Sequence, residues 1–297
     1  MALFDLKVYL KQIYPDEHES VLASFEKPKD ICIFLNTLKT DDKCLEYELS
    51  KEHIPFERLD EFTYRIKGEY KSKLSFSKAF LEHLFYIQNY SSYLCAKALN
   101  AKPYESVLDM CAAPGGKSIN LANFMQNKGY LACVEASKDR FFTLQKILKN
   151  YGVLNFKCFL KDAKLIGKLC PLKFDKILLD APCSTFAKMG LYVQKSQKEL
   201  KMLSILQKKL LHSALKALKV NGELVYSTCT FLKEENEEVI KNALKSEFKL
   251  KLLELNLEGV NAKNAFADEF DELKKAKRIL PDTFCDGFFV AKLKKLS

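Results

Sequence analysis

The sequence predicts an α/β protein built on a largely parallel sheet, and three observations lead there. From Val107 onward, β-rich apolar runs alternate with stretches of helical periodicity, the pattern of successive βαβ units. Three of those runs end in small, polar or thiol-bearing turns: VLDMCAAPGGKS at 107–118, LLDAPCS at 178–184 and YSTCT at 226–230. Strand ends of this kind are where an open α/β sheet gathers its ligand and its chemistry. Finally, 297 residues with 48% apolar and 29% charged side chains supply core enough for about two domains.

The elements follow in order. Residues 1–75 mix a helical start, a strand-like ICIFLNTL, a charged helix-like stretch and FTYRI, which suits a small α+β domain. No glycine/serine-rich linker separates it from residues 76–297, so the two parts are expected to pack together. Strands are expected at 106–109, 130–135, 156–160, 175–180 and 222–227. Between the last two, Leu203, Leu206, Leu210, Ala214 and Ala217 recur at three- and four-residue steps, one apolar helical face. Asn221-Gly222 then turns the chain, and GFFVAKL from Gly287 reads as a closing strand.

Composition narrows the function. No run approaches the roughly 20 apolar residues of a membrane span, and the amino terminus meets acid and base too early for a secretory signal. A cytoplasmic protein without a membrane partner is expected. The ten cysteines include no C-x-x-C pair and no zinc-ligand spacing, which argues against structural zinc or another bound metal and against a thiol–disulfide oxidoreductase. Residues 1–105 hold 15 Lys+Arg against 17 Asp+Glu, so the net charge of +10 resides in the motif-bearing part. There, positions 188–219 carry eight lysines and one acid, Glu199. Lys188, Lys195, Lys198 and Lys201 are candidates to meet a polyanion such as RNA, with a solvated helix face as the equal alternative.

In DMCAAPGGKS, Ala112, Ala113, Gly115 and Gly116 let the backbone turn tightly and approach a ligand before a helix begins near Lys117. The next strand ends at Glu135, twenty residues beyond Gly115, the spacing of an acid that accepts ribose hydroxyls. There is no G-x-x-x-x-G-K-[ST], so a Walker-type phosphate cradle is not indicated.

CAAPGGK, DAPCS and YSTCT, in this order and spacing, resemble the S-adenosylmethionine-dependent RNA cytosine-C5 methyltransferases of the Nop/Sun family, which includes the RsmB and RsmF type. YIQNYSS at 86–92, Glu234-Glu235-Asn236-Glu237, Arg278, Pro281 and DGFF at 286–289 extend the resemblance over about residues 76–297. It implies a Rossmann-like class I methyltransferase domain, a small RRM-like amino-terminal domain, and rRNA or tRNA as partner of a monomer. It also implies that Cys111, Ala112, Ala113, Pro114, Gly115, Gly116 and Lys117 wrap the cofactor's amino acid part, that Glu135 binds ribose, that Asp162 meets adenine and that Asp180 lies between cofactor and base. Outside that context, Asp162 and Asp180 would read as cap or turn acids and Lys117 as a solvated helix residue. Two positions depart from the family: Ser184-Thr185-Phe186-Ala187 and lysines replace its glycine-rich run and Arg-x-Pro, and Glu135 replaces an aspartate.

The need for cysteine is chemical. Carbon 5 of cytosine is a poor nucleophile, and adding a thiolate at C6 makes it enamine-like, splitting one hard step into easier ones. The resemblance assigns the attack to Cys229 and help with product release to Cys183, with Asp180 bonding the ring at N3 and its amino group. The bland alternative for each thiol is a packed hydrophobe. The competing function is a catalytically weak RNA-binding or ribosome-assembly factor on the same fold; retention of both cysteines and Asp180 favours the enzyme.

Overall fold

The computed structural model describes residues 3–267 and 270–297. Strands Phe156–Leu160, Tyr130–Glu135, Ser106–Asp109, Phe174–Asp180 and Leu218–Thr228 lie side by side in that order, all parallel. Phe288–Lys295 continues the sheet antiparallel to Leu218–Thr228, and Lys277–Ile279, Ala262–Asn264 and Leu250–Leu253 complete it. The strand order reverses direction at Ser106–Asp109, so a crevice opens beyond the carboxyl ends of that strand and its neighbours.

The central strands Ser106–Asp109, Tyr130–Glu135 and Phe174–Asp180 are covered on both faces, which is why they are mostly apolar, whereas the outer strands carry lysines. Leu178, Val225 and Val290 pack with Leu121, Leu144 and Leu148 on one side. The residues next to them, Ile177, Leu179, Leu224, Tyr226 and Phe289, pack with Leu210, Leu211, Ala214, Val239 and Ile240 on the other. Helix Gln197–Ala217 supplies much of that second layer, and Ser196 and Glu199 close its start with reciprocal side-chain bonds.

Three details depart from expectation. Asn221-Gly222 does not precede a strand but forms a bulge within Leu218–Thr228: Leu218 pairs with Phe174 and Glu223 with Lys176, and Asn221 takes φ 66°. The small four-stranded antiparallel sheet, Glu57–Arg58, Thr63–Ile66, Ile31–Leu35 and Phe85–Ile87, runs past residue 75, which falls inside helix Lys71–Phe76. The first two helices, Leu6–Ile13 and His18–Ser24, lie in residues 1–75 but do not join the core of that small sheet. Leu6, Leu10, Tyr14 and Val21 pack on Phe186, Leu200, Phe231 and Leu280 beside the large sheet, because that is where their apolar stripe finds cover.

One buried ion pair ties these parts together. Arg278 donates through Nε to Glu237 Oε1 at 2.6 Å and through Nη2 to Oε2 at 2.5 Å. Its Nη1 donates to the Phe231 carbonyl at 2.9 Å and the Tyr14 hydroxyl at 3.2 Å. Removing one partner of such a pair strands the other charge, at about 3–5 kcal/mol. Arg278→Met should therefore lose that much in urea unfolding, and Arg278→Lys, which has no planar fork, should recover less than half. A loss below about 1 kcal/mol for Arg278→Met would show the pair to be dispensable.

Candidate active site

Two adjoining cavities open at the carboxyl ends of the parallel strands. The first, about 380 Å³, is lined by Met110, Val134, Glu135, Asp162, Leu206 and Leu210. The second, about 280 Å³, is lined by Tyr86, Gln88, Ser92, Lys117, Lys188 and Phe288 among others. Cys111, Ala113, Asp180 and Cys229 face both, so they form the wall between them.

The turn after Ser106–Asp109 is held by its neighbours. Ala112 donates its amide to the Val134 carbonyl and Met110 to the Leu178 carbonyl, each at 2.9 Å. Gly115 has φ 124°, which excludes a side chain, and helix Gly116–Phe124 follows. A Cβ at Gly116 would stand 2.7 Å from Tyr86 Cε1, so this glycine accommodates an aromatic ring from the small sheet. Glu135 is buried at its strand end; it accepts from the Ser137 amide at 2.8 Å and lies 3.5 Å from Arg140, which donates to the Ala113 carbonyl at 2.6 Å. Asp162 accepts from the Lys164 amide at 2.9 Å, a capping role that leaves it on the cavity wall.

Lys117 does not turn to solvent. Its ammonium donates to Asp180 Oδ2 at 2.7 Å and Ser92 Oγ at 2.6 Å, while Ser227 Oγ donates to Asp180 Oδ1 at 2.7 Å. Burial alone would push the Lys117 ammonium down, but the Asp180 carboxylate beside it holds it up. Lys117, Asp180, Ser227 and Ser92 thus form one charged network inside the second cavity.

Cys183 and Cys229 stand 3.4 Å apart, Sγ to Sγ. The contact with Cys229, then burial, then the charges of Cys229 and Glu235 hold the Cys183 thiol well above its ordinary range. Either thiol can be the donor across this contact. The arrangement sets two close thiols beside a carboxylate–ammonium pair at the cavity wall.

The lysines separate. Lys188 stands on the rim of the second cavity. Lys195 and Lys198, with Met202, Ile205 and Leu206, border an open groove on helix Gln197–Ala217, and Lys195 lies 3.7 Å from Glu199. Lys201 is exposed on the same helix. Among the described residues no helix is long and apolar enough to cross a membrane.

Comparison with known proteins gives three kinds of match. The family described as 16S rRNA methyltransferase RsmB/F matches residues 96–294. The tRNA (cytosine(72)-C(5))-methyltransferase of Pyrococcus horikoshii is 34% identical over 75% of this chain, and the chain spans only 55% of that relative's length. The tRNA (cytosine(49)-C(5))-methyltransferase of Pyrococcus abyssi is 34% identical, with 94% of this chain and 93% of the relative covered. Among solved structures, a methyltransferase homolog protein from Pyrococcus horikoshii superimposes with a TM-score of 0.85 at 35% identity, over 96% of this chain and 93% of that one.

Asp109 was not singled out from sequence, because at the end of a strand it reads as an ordinary turn acid. It is fully buried on the wall of the second cavity; Oδ2 accepts from Ser118 at 2.7 Å and Oδ1 has no protein partner. Burial, opposed by the Ser118 bond and Lys117, pushes its carboxyl from 3.8 up to about 6. Between those values the folded chain binds more protons than the unfolded one, so this group's contribution to stability falls as pH rises from about 4 to 6. Asp109→Asn should flatten the stability profile in that window by an amount on the order of 3 kcal/mol, read from urea midpoints at each pH. An unchanged slope would mean that Asp109 ionises freely.

Proposed function

The chain belongs to the 16S rRNA methyltransferase RsmB/F family, and we propose that it methylates carbon 5 of cytosine in rRNA or tRNA through a transient bond from Cys229 to C6. The observation that carries this reading is the 3.4 Å approach of two thiols beside the Lys117–Asp180 pair.

The first cavity fits the adenosyl part of S-adenosylmethionine: its size, a buried acid at one strand end (Glu135), a second at the next (Asp162) and an apolar wall from Leu206 and Leu210 match a ribose and a purine. Cys111, Ala112, Ala113, Pro114, Gly115 and Gly116 would hold the amino acid part. When bound, that cofactor supplies a methyl group activated on a positive sulfur. Lys117 is reassigned in this reading, from the cofactor to the base, because its ammonium bonds Asp180 and Ser92.

The target base would enter the second cavity unstacked, as base-modifying enzymes require. Asp180 has lone pairs left after accepting from Ser227 and Lys117, enough for the cytosine amino group. Attack of the Cys229 thiolate on C6 moves electron density onto the ring, where the Lys117 ammonium faces it. After C5 takes the methyl group, elimination breaks the C5–H and C6–S bonds. Cys183, its own proton first given up to water, takes the C5 proton as thiolate and passes it on to water, while the C–H electron pair restores the C5–C6 double bond and Cys229 leaves as thiolate. Lys188, Lys195, Lys198 and Lys201 would meet RNA phosphates. We read the protein as a monomer, and ten free thiols suit the reducing cytoplasm.

The two cysteines should show opposite phenotypes. With RNA mapped by bisulfite sequencing, Cys229→Ala should bind normally yet methylate at least about 10⁴-fold more slowly and form no covalent species. Cys183→Ala should accumulate an enzyme–RNA band that survives denaturing electrophoresis. An adduct with Cys229→Ala and none with Cys183→Ala would reverse the roles, and full methylation by Cys229→Ala would remove that thiol from the mechanism. Replacing Lys195, Lys198 and Lys201 together by alanine should weaken RNA binding and flatten its dependence on salt by up to about three counterions. A wild-type slope would leave them a solvated face.

A further inference from the structure

Two consecutive residues hold both cysteine turns. Glu235 ends the 3-10 turn Lys233–Glu235 and is fully buried. Its Oε2 accepts from the Ser184 amide at 3.0 Å and from Gln207 Nε2 at 2.7 Å, and Gln207 also donates to the Pro182 carbonyl at 2.9 Å. The residues on either side of Cys183 are thus fixed. Asn236 does the same for Cys229: Oδ1 accepts from Thr228 Oγ1 at 2.5 Å, and Nδ2 donates to the Thr230 carbonyl at 3.0 Å. Ser184 Oγ and Thr230 Oγ1, 2.6 Å apart, join the two turns directly. None of these side chains lines either cavity, so their effect reaches the reaction only through the thiols.

We infer that Glu235 and Asn236 are positioning residues, Glu235 with Gln207 setting Cys183 and Asn236 setting Cys229, and that together they fix the separation of the two thiols. The inference rests on the proposed roles of those cysteines. A mechanism in which one thiol holds C6 while the other takes the C5 proton has little tolerance: a misplacement of about 1 Å can cost about 100-fold in rate. Buried hydrogen bonds supply that definition where a turn alone would not, although Glu235 Oε1 and Gln207 Oε1 have no protein partner.

The test begins without RNA. Wild-type protein and variants are treated with iodoacetamide, and alkylation rates at Cys183 and Cys229 are read separately by peptide mass spectrometry. Glu235→Ala should change the Cys183 rate by about tenfold while leaving Cys229 within about twofold, and Asn236→Ala should do the converse. Glu235→Gln, which keeps an acceptor for Ser184, should restore the wild-type pattern. Asn236→Asp, which sets an acceptor against the Thr230 carbonyl, should move Cys229 even if Asn236→Ala does not fold. Rates that rise together in step with a lowered Tm, or that stay unchanged in folded variants, would overturn the assignment.

With the mapped RNA, Glu235→Ala should slow release of the covalent species and Asn236→Ala its formation, each by about ten- to a hundredfold with KM for RNA unchanged. Equal loss in both steps would again indicate mere loosening. If the wild-type protein forms no Cys229-linked species, the proposed function fails, and the alkylation rates still decide the positioning.

Discussion

Parallel pairing of Phe174–Asp180 with Leu218–Thr228 is the constraint from which the site follows. Register sets Asp180 opposite Ser227, so both strands end at the same level and both chains turn over the same crevice. The Cys183 turn and the Cys229 turn then have nowhere to go but toward each other, and Ser227 is already within reach of the Asp180 carboxylate. A slip of one residue would move Asp180 and Ser227 to opposite faces and separate the thiols. The bulge at Asn221-Gly222 preserves this register, because it absorbs the excess chain at the far end of the strand.

Charge inside the crevice is costly, and the structure keeps it compact. Lys117, Asp180 and Asp109 bring two acids and one base into a partly buried space, where only Asp109 is fully enclosed and desolvation is costly before pairing offsets it. The Lys117–Asp180 pair is satisfied on every side that the two serines reach. Asp109, with one oxygen unpaired, bears the consequence as a carboxyl displaced toward about 6. Uncompensated charge of this kind concentrates at functional sites, since a packed core gains nothing from it.

The small four-stranded sheet is part of this site and is not merely attached to it. Its edge strand, Phe85–Ile87, delivers Tyr86 against Gly116, and the segment after it places Gln88 and Asn89 on the cavity wall and Ser92 on Lys117. The amino-terminal helices brace the other side, through Tyr14 on Arg278 and through the Tyr9 hydroxyl, which accepts from the Lys233 amide at 2.9 Å just before Glu235. Elements far apart in sequence therefore converge on two short turns.

Local pattern made much of this legible in the sequence. Strands 106–109, 130–135 and 156–160 match their expected limits, since alternation and turn residues are properties of neighbouring positions. The motif turns were legible for the same reason, whereas the grouping of two cysteines with an acid rested on the resemblance those motifs carry. What the sequence could not show was direction and distance: whether Lys117 turned to solvent or to Asp180, that Gly116 makes room for Tyr86, that Asp109 is left half-paired, or that Gln207, in the middle of a helix, reaches the carbonyl before Cys183. Those depend on which side chains meet across 25 to 63 residues of chain, and only the packed sheet and its two helical layers decide that.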